Sequence, residues 1–413
     1  MAIRRPRRTE APPTAGLPPR WGDLWPFAPR QGSLERRAAA FIGADEVQAE
    51  CSGTAALVVA LTTLHRLSGR RVVVVPAYTC PLVAIAVAHC GLELRLCDLA
   101  PGSIDFDAQA LARACDRDVL ALVPTHLGGR VADVAAAVAL AHAAGAFVIE
   151  DAAQAFGARR GRVSVGLDGD AGFFSLAVGK GLTTYEGGLL VSADASLRRE
   201  LRRTSREIVP WRPAWELRRS FELLAYHACY RPSLLRFAYG APLRRALRRG
   251  DPVAAVGDDF PLRIPLHTLG RWRRNVGARA FARWPAFVAE GALRARRRHA
   301  RLAAIGDIDV LGDAGDANGT WPFFIVRMPD EATRDRVLAR LWGEGRGVSR
   351  LFIHALPDYA YLRDVVAPAD VPNARRFAAT TLTISNSPWL ADADFEAVCS
   401  VIELVLQERP GGT

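Results

Sequence analysis

Lys180 is the only lysine in a chain of 413 residues that contains 53 arginines. Arginine replaces lysine wherever only positive charge is needed, but its guanidinium does not lose a proton to become a nucleophilic amine, as a desolvated lysine can. A single retained lysine is therefore a candidate for covalent chemistry through a Schiff base. Composition alone leaves open the other explanation, that one lysine survived by chance in an arginine-biased sequence.

Asp151 and the segment Ser52-Gly53-Thr54 could complete the chemistry of such a lysine. Asp151 follows the apolar run 147–150, which places it at the carboxyl end of a predicted parallel strand, where open α/β sheets bind ligands. Ser52-Gly53-Thr54 begins a predicted apolar helix, and backbone N–H groups at a helix N-terminus bind phosphate. An amine, a carboxylate for the ring nitrogen and a phosphate site are what pyridoxal phosphate (PLP) requires. Asp151, Ser52 and Thr54 could instead be helix caps.

Buried strands alternate with helices in the region that would position these residues. The run 72–75, followed by Pro76, is typical of a strand that is buried on both faces. The other predicted strands of this region cover residues 92–97, 119–125, 147–150, 172–176 and 189–192, and the predicted helices cover residues 55–65, 82–88 and 131–144. The alternation predicts an α/β fold with a doubly wound parallel sheet.

The composition of the chain predicts three parts. Residues 1–30 combine prolines with arginines and small residues, which is typical of a flexible tail. Residues 31–270 form the predicted large domain. Residues 271–413 form a predicted smaller α+β domain, with strands at 321–326 and 381–384 and a last helix at 395–406.

Nothing in the sequence predicts export or membrane insertion. The longest apolar runs are well short of the roughly 20 residues that a membrane-spanning helix needs. The arginines near the N-terminus precede prolines and not the apolar core of a secretory signal. The seven cysteines are scattered and form no CxxC pair, so neither a disulfide framework nor a metal site is expected. We therefore expect a cytoplasmic protein with reduced thiols.

Positive charge is concentrated between residues 201 and 301, which contain 23 arginines and seven acidic residues in a chain of formal net charge +11. Within this region, residues 201–259 mix arginine with tryptophan and tyrosine, as helices that lie on anionic membranes do. This predicted insertion could contact a membrane, grip a lipid-linked or diphosphate substrate, or pack on its own domain or on a partner subunit. A nucleic-acid partner is not expected, since no recognisable reader motif is present.

Five motifs occur in order between residues 32 and 195. They are Gly32-Ser33-Leu34-Glu35, Ser52-Gly53-Thr54-Ala55-Ala56-Leu57, Val75-Pro76-Ala77-Tyr78-Thr79, Glu150-Asp151-Ala152-Ala153-Gln154-Ala155-Phe156-Gly157, and Phe174-Ser175 to Lys180 followed by Glu186-Gly187-Gly188. Together they resemble the DegT/StrS-type sugar aminotransferases, which are fold-type I PLP enzymes of the aspartate aminotransferase superfamily. The resemblance implies a large domain with a mostly parallel seven-stranded sheet flanked by helices, and a smaller C-terminal α+β domain.

The resemblance also implies a role for each matching residue. Lys180 would bind PLP covalently and then move the proton between the substrate carbon and the cofactor, and Asp151 would pair with the pyridine nitrogen. Gln154 would contact the ring or its hydroxyl. The other implied cofactor contacts are Ser52, Gly53, Thr54 and Ser175 at the phosphate, and Tyr78 and Cys80 near the position where many members stack an aromatic residue on the ring.

The implied reaction moves an amino group from an amino acid, usually glutamate, to a keto sugar that is nucleotide- or lipid-linked, in polysaccharide or secondary-metabolite biosynthesis. Family members are usually homodimers. Two departures concern the acceptor: Cys80 replaces the stacking aromatic residue, and the segment 260–263 (FPLR) replaces an Asn-x-Arg element that reaches the partner's active site. Alternatives are another PLP reaction, such as a dehydration, or a non-catalytic regulatory or membrane-associated member. His126 and His354 lie near family positions but are not assigned to the site.

Overall fold

The structure, a computed structural model, describes residues 9–25 and 32–408 of the chain. The strands of these residues are β1 (Gln48–Glu50), β2 (Val72–Pro76), β3 (Glu93–Cys97), β4 (Val119–Leu122), β5 (Phe147–Asp151), β6 (Arg159–Arg160), β7 (Val163–Ser164), β8 (Ala171–Ser175), β9 (Gly188–Val191), β10 (Asp309–Val310), β11 (Ala317–Asn318), β12 (Phe323–Arg327), β13 (Val348–Ser349) and β14 (Thr381–Ser385). The helices are α1 (Leu34–Ile42), α2 (Gly53–Ser68), α3 (Pro81–His89), α4 (Ala108–Ala114), α5 (Val134–Ala143), α6 (Ala195–Ile208), α7 (Pro213–Cys229), α8 (Pro232–Leu235), α9 (Ala241–Arg248), α10 (Pro252–Val256), α11 (Arg271–Phe281), α12 (Trp284–Ala303), α13 (Glu331–Leu341), α14 (Pro372–Thr380) and α15 (Asp392–Gln407).

Seven strands form the main sheet in the spatial order β1-β9-β8-β5-β4-β2-β3. Strands β3, β2, β4, β5 and β8 are parallel, while β9 pairs antiparallel with both β8 and β1. Along β2, Val73 and Val75 pack with residues of α2 and α3, whereas Val72 and Val74 pack with residues of α4 and α5. Helices therefore cover both faces of the sheet, and the predicted mostly parallel seven-stranded fold is confirmed.

A second sheet of four antiparallel strands, ordered β10-β12-β14-β13, lies in the C-terminal part of the chain. Its side chains Phe324 and Leu382 pack with Val337 of α13 and Ile402 of α15 in one hydrophobic core. β12, β14 and α15 correspond to the predicted strands at 321–326 and 381–384 and to the predicted last helix. The boundary between the two predicted domains at residue 270 stays a prediction.

Helices α6 to α10 occupy the stretch that was predicted to be an insertion. Leu223 and Tyr226 of α7 pack with Tyr230, with Leu235 of α8 and with Val276 of α11 in a separate hydrophobic cluster. The insertion is thus a helical layer whose inner side is fixed to the rest of the protein.

Residues 9–25 pack against distant parts of the chain, so the predicted flexible tail is wrong for this segment. Proline restricts the backbone and lacks an N–H group. Four N–H groups of the other residues in this segment bind distant parts of the chain. They donate to carbonyl oxygens at 2.8–3.0 Å: Glu10 to Pro232, Ala11 to Gly345, Ala15 to Pro322 and Leu17 to Gly181. We call residues 9–17 the N-terminal strap. Residues 1–8 and 26–30 of the predicted tail lie outside the described residues.

Two further properties concern membranes and thiols. Over residues 9–25 and 32–408, no helix combines the length and the apolar character that crossing a membrane requires. The seven cysteines are free, and Cys51, Cys97 and Cys399 are buried.

Candidate active site

A cavity of about 1020 Å³ lies at the carboxyl ends of β5 and β8, beside the N-terminus of α2. Eight of the nine residues predicted to contact the cofactor line it: Ser52, Gly53, Thr54, Cys80, Asp151, Gln154, Ser175 and Lys180. The parallel strands end at the same edge of the sheet, which is why residues so far apart in sequence meet here. The fold therefore brings the predicted residues to one place.

The start of α2 offers an anion site to the cavity. Ser52 is the N-cap residue, and its Oγ accepts a hydrogen bond from Ala55 N–H at 3.0 Å. The N–H groups of Gly53 and Thr54 have no acceptor within the helix, as at every helix start, and remain available to an anion. Ser175 lies against this turn, since a Cβ on Gly53 would be only 3.1 Å from the Cβ of Ser175. Glycine at position 53 thus lets α2 approach the end of β8.

Asp151 ends β5 with a buried carboxylate. Burial raises its pKa, while a hydrogen bond from Ala153 N–H (3.0 Å) and the positive charge of Lys180 act in the opposite direction. A carboxylate in this situation is stabilised by a cation placed against it. Nearby, Gln154 Oε1 accepts a hydrogen bond from Gly128 N–H at 2.7 Å, which leaves its Nε2 group as a donor for a ligand.

Lys180 lies in a turn between two glycines in the left-handed region, Gly179 and Gly181, both with φ of 84°. A Cβ on Gly181 would lie 2.5 Å from the ring of Trp284, and a Cβ on Gly179 would lie 3.3 Å from Thr14 Oγ1. Any other residue at position 181 would therefore be strained and would collide with α12. The turn holds the lysine between the N-terminal strap and α12.

Tyr78 is the predicted residue that the structure places elsewhere, so its predicted contact with the cofactor ring is corrected. It is 2% exposed and does not line the cavity, because its hydroxyl donates to Phe352 O (3.1 Å) and its ring packs edge-on against Phe352 and Phe377. Cys80 does line the cavity, and burial raises its pKa to about 12, which keeps the thiol neutral. His354 is exposed and does not line the cavity.

His126 reaches the cavity, but both of its ring nitrogens have protein partners. Ala132 N–H donates to Nδ1 (3.0 Å), and Nε2 donates to Glu150 Oε2 (2.9 Å). Burial alone would raise the pKa of Glu150, but hydrogen bonds from His126 and from the N–H groups of Gly166 and Gly169 lower it. The pair is a buried structural unit behind the end of β5.

Asp258 is a second buried carboxylate of the cavity, and no motif in the sequence marks it. Its Oδ2 accepts hydrogen bonds from Ile353 N–H (2.9 Å) and from the Tyr359 hydroxyl (2.7 Å). Burial raises its pKa to about 6, although these bonds and the positive charges of Arg350 and Lys180 oppose the change. The partners of Asp258 lie about a hundred positions further along the chain, which explains why local sequence patterns miss it.

The raised pKa of Asp258 predicts a pH-dependent stability. The folded protein keeps a proton on this carboxyl up to about pH 6, whereas the unfolded chain loses it near pH 4. The stabilising contribution of this group is therefore present at low pH. It is lost as the pH rises from about 4 to about 6, which lowers the free energy of unfolding by roughly 3 kcal/mol. We expect Asp258→Asn, whose amide stays neutral, to gain about this much over the parent between about pH 4 and about pH 7 in urea unfolding.

The matched control is Asp259→Asn at the neighbouring exposed carboxylate, which should keep the pH dependence of the parent. If the difference in the free energy of unfolding between Asp258→Asn and the parent does not change across this pH range, ionisation of Asp258 does not destabilise the folded protein.

A buried ion network forms the wall between the cavity and the insertion. Glu186 lines the cavity and pairs with Arg219 Nε (2.5 Å) and His267 Nε2 (3.2 Å). Burial would raise the pKa of Glu186, but the His267 hydrogen bond and the charge of Arg219 lower it. Arg273 is fully buried, holds Glu216 through two hydrogen bonds (2.9 and 2.5 Å) and donates to the backbone oxygen of Glu186 (2.6 Å). Although Glu186 belongs to a predicted motif, its partners in α7 and α11 could not be predicted from that motif.

Positively charged side chains and the N-terminal strap complete the wall. The arginines that line the cavity are Arg219, Arg263, Arg294 and Arg350. Arg294 Nη2 and Arg350 Nε are buried and find no hydrogen-bond partner among residues 9–25 and 32–408. Pro12 to Ala15 of the strap lie on the same wall. The proline-rich composition of this segment did not predict a place in the cavity wall.

Residues 22–215 match the profile of the DegT/DnrJ/EryC1/StrS aminotransferase family. Protein MosB of Rhizobium meliloti is 38% identical to this chain over 170 residues, which are 41% of this chain and 33% of MosB. The L-glutamine:2-deoxy-scyllo-inosose aminotransferase of Micromonospora echinospora is 36% identical over 220 residues, 51% of this chain and 52% of that protein. The chain thus spans about a third to a half of the length of the curated relatives that it matches.

The solved structure of DesI in the presence of its TDP-sugar product has the same fold. The TM-score is 0.73 at 20% sequence identity, and the match covers 97% of this chain and 94% of DesI. A likeness at this identity concerns the fold, and it agrees with the α/β architecture described above.

Proposed function

We propose that this chain, whose residues 22–215 match the DegT/DnrJ/EryC1/StrS aminotransferase family, is a PLP-dependent aminotransferase that moves an amino group from an amino acid to a keto sugar. The observation that carries the proposal is that the single lysine, the buried Asp151 and the start of α2 line one cavity. Glutamate is the expected donor. Glutamine is the alternative donor, because one relative is named for L-glutamine.

The residues of the cavity fit PLP. The N–H groups of Gly53 and Thr54 and the hydroxyl of Ser175 suit a phosphate, and the buried carboxylate of Asp151 suits a protonated ring nitrogen. Lys180 supplies the amine to which the cofactor would be attached. When bound, PLP supplies the electron sink that lets a proton leave the carbon next to the amino group.

The protein side chains would then position the reacting groups and move the proton. Lys180 Nζ would take the proton from the substrate carbon and return it at the end of the transfer, acting as general base and then acid. The turn formed by Gly179 and Gly181 keeps this amine at the cavity. Gln154, whose Oε1 is held by Gly128 N–H, would donate from Nε2 to the ring hydroxyl. Asp151 would hold a proton on the ring nitrogen through its negative charge.

The arginines of the wall support an acceptor that carries negative charge. Four arginines line the cavity, and their positive charge favours a substrate whose oxygens are negatively charged. A diphosphate or the carboxylate of the amino donor supplies such oxygens. We therefore propose a nucleotide- or lipid-linked keto sugar as the acceptor, in polysaccharide or secondary-metabolite biosynthesis.

The proposal includes a homodimer, as the resemblance to the family implies, and a location in the cytoplasm, as the sequence leads us to expect. In that family an Asn-x-Arg element reaches the partner's site. Here the segment at that place, 260–263, contributes Phe260, Pro261 and Arg263 to the cavity of its own chain. Arg263 would therefore contact a substrate bound in the cavity of its own chain.

The half-reaction with the amino donor tests the proposal. Protein loaded with PLP is expected to lose its visible absorbance when glutamate or glutamine is added, since the amino group moves to the cofactor. Borohydride reduction before the donor is added should fix the cofactor on the peptide that contains Lys180, the only lysine of the chain, as peptide mass spectrometry would show.

Two other outcomes would identify the alternatives. A protein that takes up no PLP would favour a non-catalytic regulatory member of the family. A protein that binds PLP and dehydrates a sugar without consuming an amino donor would favour a dehydratase-like reaction on the same scaffold.

A further inference from the structure

We propose that the outer face of α7 binds an anionic membrane surface and holds the cavity close to it. The outer face consists of Ala214, Leu217, Phe221, Leu224 and Ala228. This inference goes beyond the proposed function, since an aminotransferase of this kind needs no membrane for its chemistry.

The outer face of α7 is a continuous apolar row. Its members follow one another at intervals of three or four residues, so they lie on one side of the helix. Leu217 is 59% exposed and Phe221 is 62% exposed. Large apolar side chains scattered singly on a surface need no explanation, but an uninterrupted row without a charged member marks a binding surface.

The opposite face of α7 belongs to the cavity and to the core. Arg219, Glu222 and Tyr226 line the cavity, and Leu223 packs with Tyr226 and Tyr230 in the cluster beneath the helix. α7 is thus a single layer between the cavity and the exterior. A surface bound to its outer face would lie about one helix diameter, or roughly 10 Å, from the cavity wall.

Exposed apolar side chains continue beyond α7. Leu234 of α8 and Phe237 just after it are exposed, while Leu235 between them packs in the same cluster as Leu223. At the same end of α7, the exposed ring of Trp21 lies 6.5 Å from the ring of His227 in the last turn of the helix. Phenylalanine, leucine and tryptophan next to arginine are the residues with which interfacial helices enter the headgroup region.

The charges around this row are positive. Arg212 precedes α7, Arg218 lies beside the row and also binds Glu222 (3.0 Å), and Arg231 follows the end of the helix. All three are exposed. Each arginine close to an anionic leaflet strengthens binding several-fold, so charge and apolar surface favour the same occupant.

A second copy of the chain is the other occupant that an apolar helix face could accept. Two α7 helices packed antiparallel around a two-fold axis would bring Arg212 of one copy near Arg231 of the other, and a parallel pair would bring identical arginines together. Like charges oppose both arrangements. An anionic lipid surface meets no such repulsion, and we therefore assign the row to lipid.

Co-sedimentation of the PLP-loaded protein with vesicles tests this assignment. We expect at least about tenfold tighter binding to vesicles that contain phosphatidylglycerol than to phosphatidylcholine vesicles, and weaker binding as salt screens the arginines. The double variant Leu217→Ser, Phe221→Ser should weaken binding by about tenfold or more, because it removes apolar side chains that would enter the membrane. Leu404→Ser, at an exposed leucine of α15, is the matched control and should bind like the parent.

Equal binding to both kinds of vesicle, or binding to neither, would overturn the assignment. So would a solution mass showing that the double variant dissociates a dimer, since the row would then contact a second copy. Thermal unfolding verifies that the variants fold. The half-reaction measured without vesicles reports separately on the proposed function, so a protein that binds vesicles but fails to react with an amino donor would refute the activity and leave this inference intact.

Discussion

Replacing Lys180 with arginine is expected to abolish the half-reaction with the amino donor while the protein stays folded. Arginine keeps the positive charge that lowers the pKa of Asp151 and of Asp258, so the electrostatics of the cavity are preserved. Its guanidinium, however, neither attaches the cofactor nor gives up a proton near neutral pH. We expect the rate of the half-reaction to fall by about 10⁴-fold, measured by absorbance after rapid mixing with donor.

Lys180→Ala provides the companion experiment, because a small amine added to the solution can occupy the space that the side chain leaves. Partial recovery of the rate with methylamine is expected if Lys180 acts as the base. Since the parent has no other lysine, borohydride should leave no cofactor on either variant. A Lys180→Arg protein that still reacts with the donor at the parent's rate would remove Lys180 from the mechanism.

Changing Asp151 to asparagine is expected to slow the half-reaction by about 10²- to 10³-fold, the usual effect of removing one preorganised electrostatic contact. The amide oxygen still accepts the hydrogen bond from Ala153 N–H, so the turn after β5 is preserved. The negative charge that would hold a proton on the ring nitrogen is lost. Single-turnover absorbance gives the rate, and borohydride labelling of Lys180 should persist because attachment of the cofactor does not need Asp151.

Asp168→Asn is the control for this prediction. Asp168 is exposed and does not line the cavity, so its replacement should leave the rate unchanged. A parent-like rate in Asp151→Asn would show that the buried carboxylate is a structural residue and that another group, such as Asp258, faces the ring nitrogen.

The main sheet and most of the cavity could be predicted because the signals are local. The strand β2 extends one residue beyond the predicted run 72–75, and β8 differs from its prediction by one residue at each end. In β2, the run of valines followed by proline is buried at every position. The residues at the ends of these strands then meet in space as a consequence of parallel pairing, so Asp151 could be assigned to the site without any knowledge of its contacts. Ser175 was assigned through the family resemblance.

The residues that were misjudged or missed are those with distant partners. Tyr78 lies within a motif, yet its hydroxyl and ring are held by Phe352 and Phe377 of the C-terminal part. Asp258 depends on Tyr359 for its position, and no spacing rule connects the two. Proline-rich composition is shared by flexible tails and by extended segments that dock on a surface, so residues 9–25 could not be distinguished from a tail.

The strap also sets the order in which the cavity can be completed. Residues 9–17 are synthesised well before their hydrogen-bond partners Gly181, Pro232, Pro322 and Gly345. Closing loops of this length costs chain entropy, and contacts between distant residues form late in folding. The wall that Pro12 to Ala15 contribute is therefore incomplete until the chain as far as Gly345 has been made, even after Lys180 and Asp151 have emerged. A shorter nascent chain would expose the same residues in an open cleft.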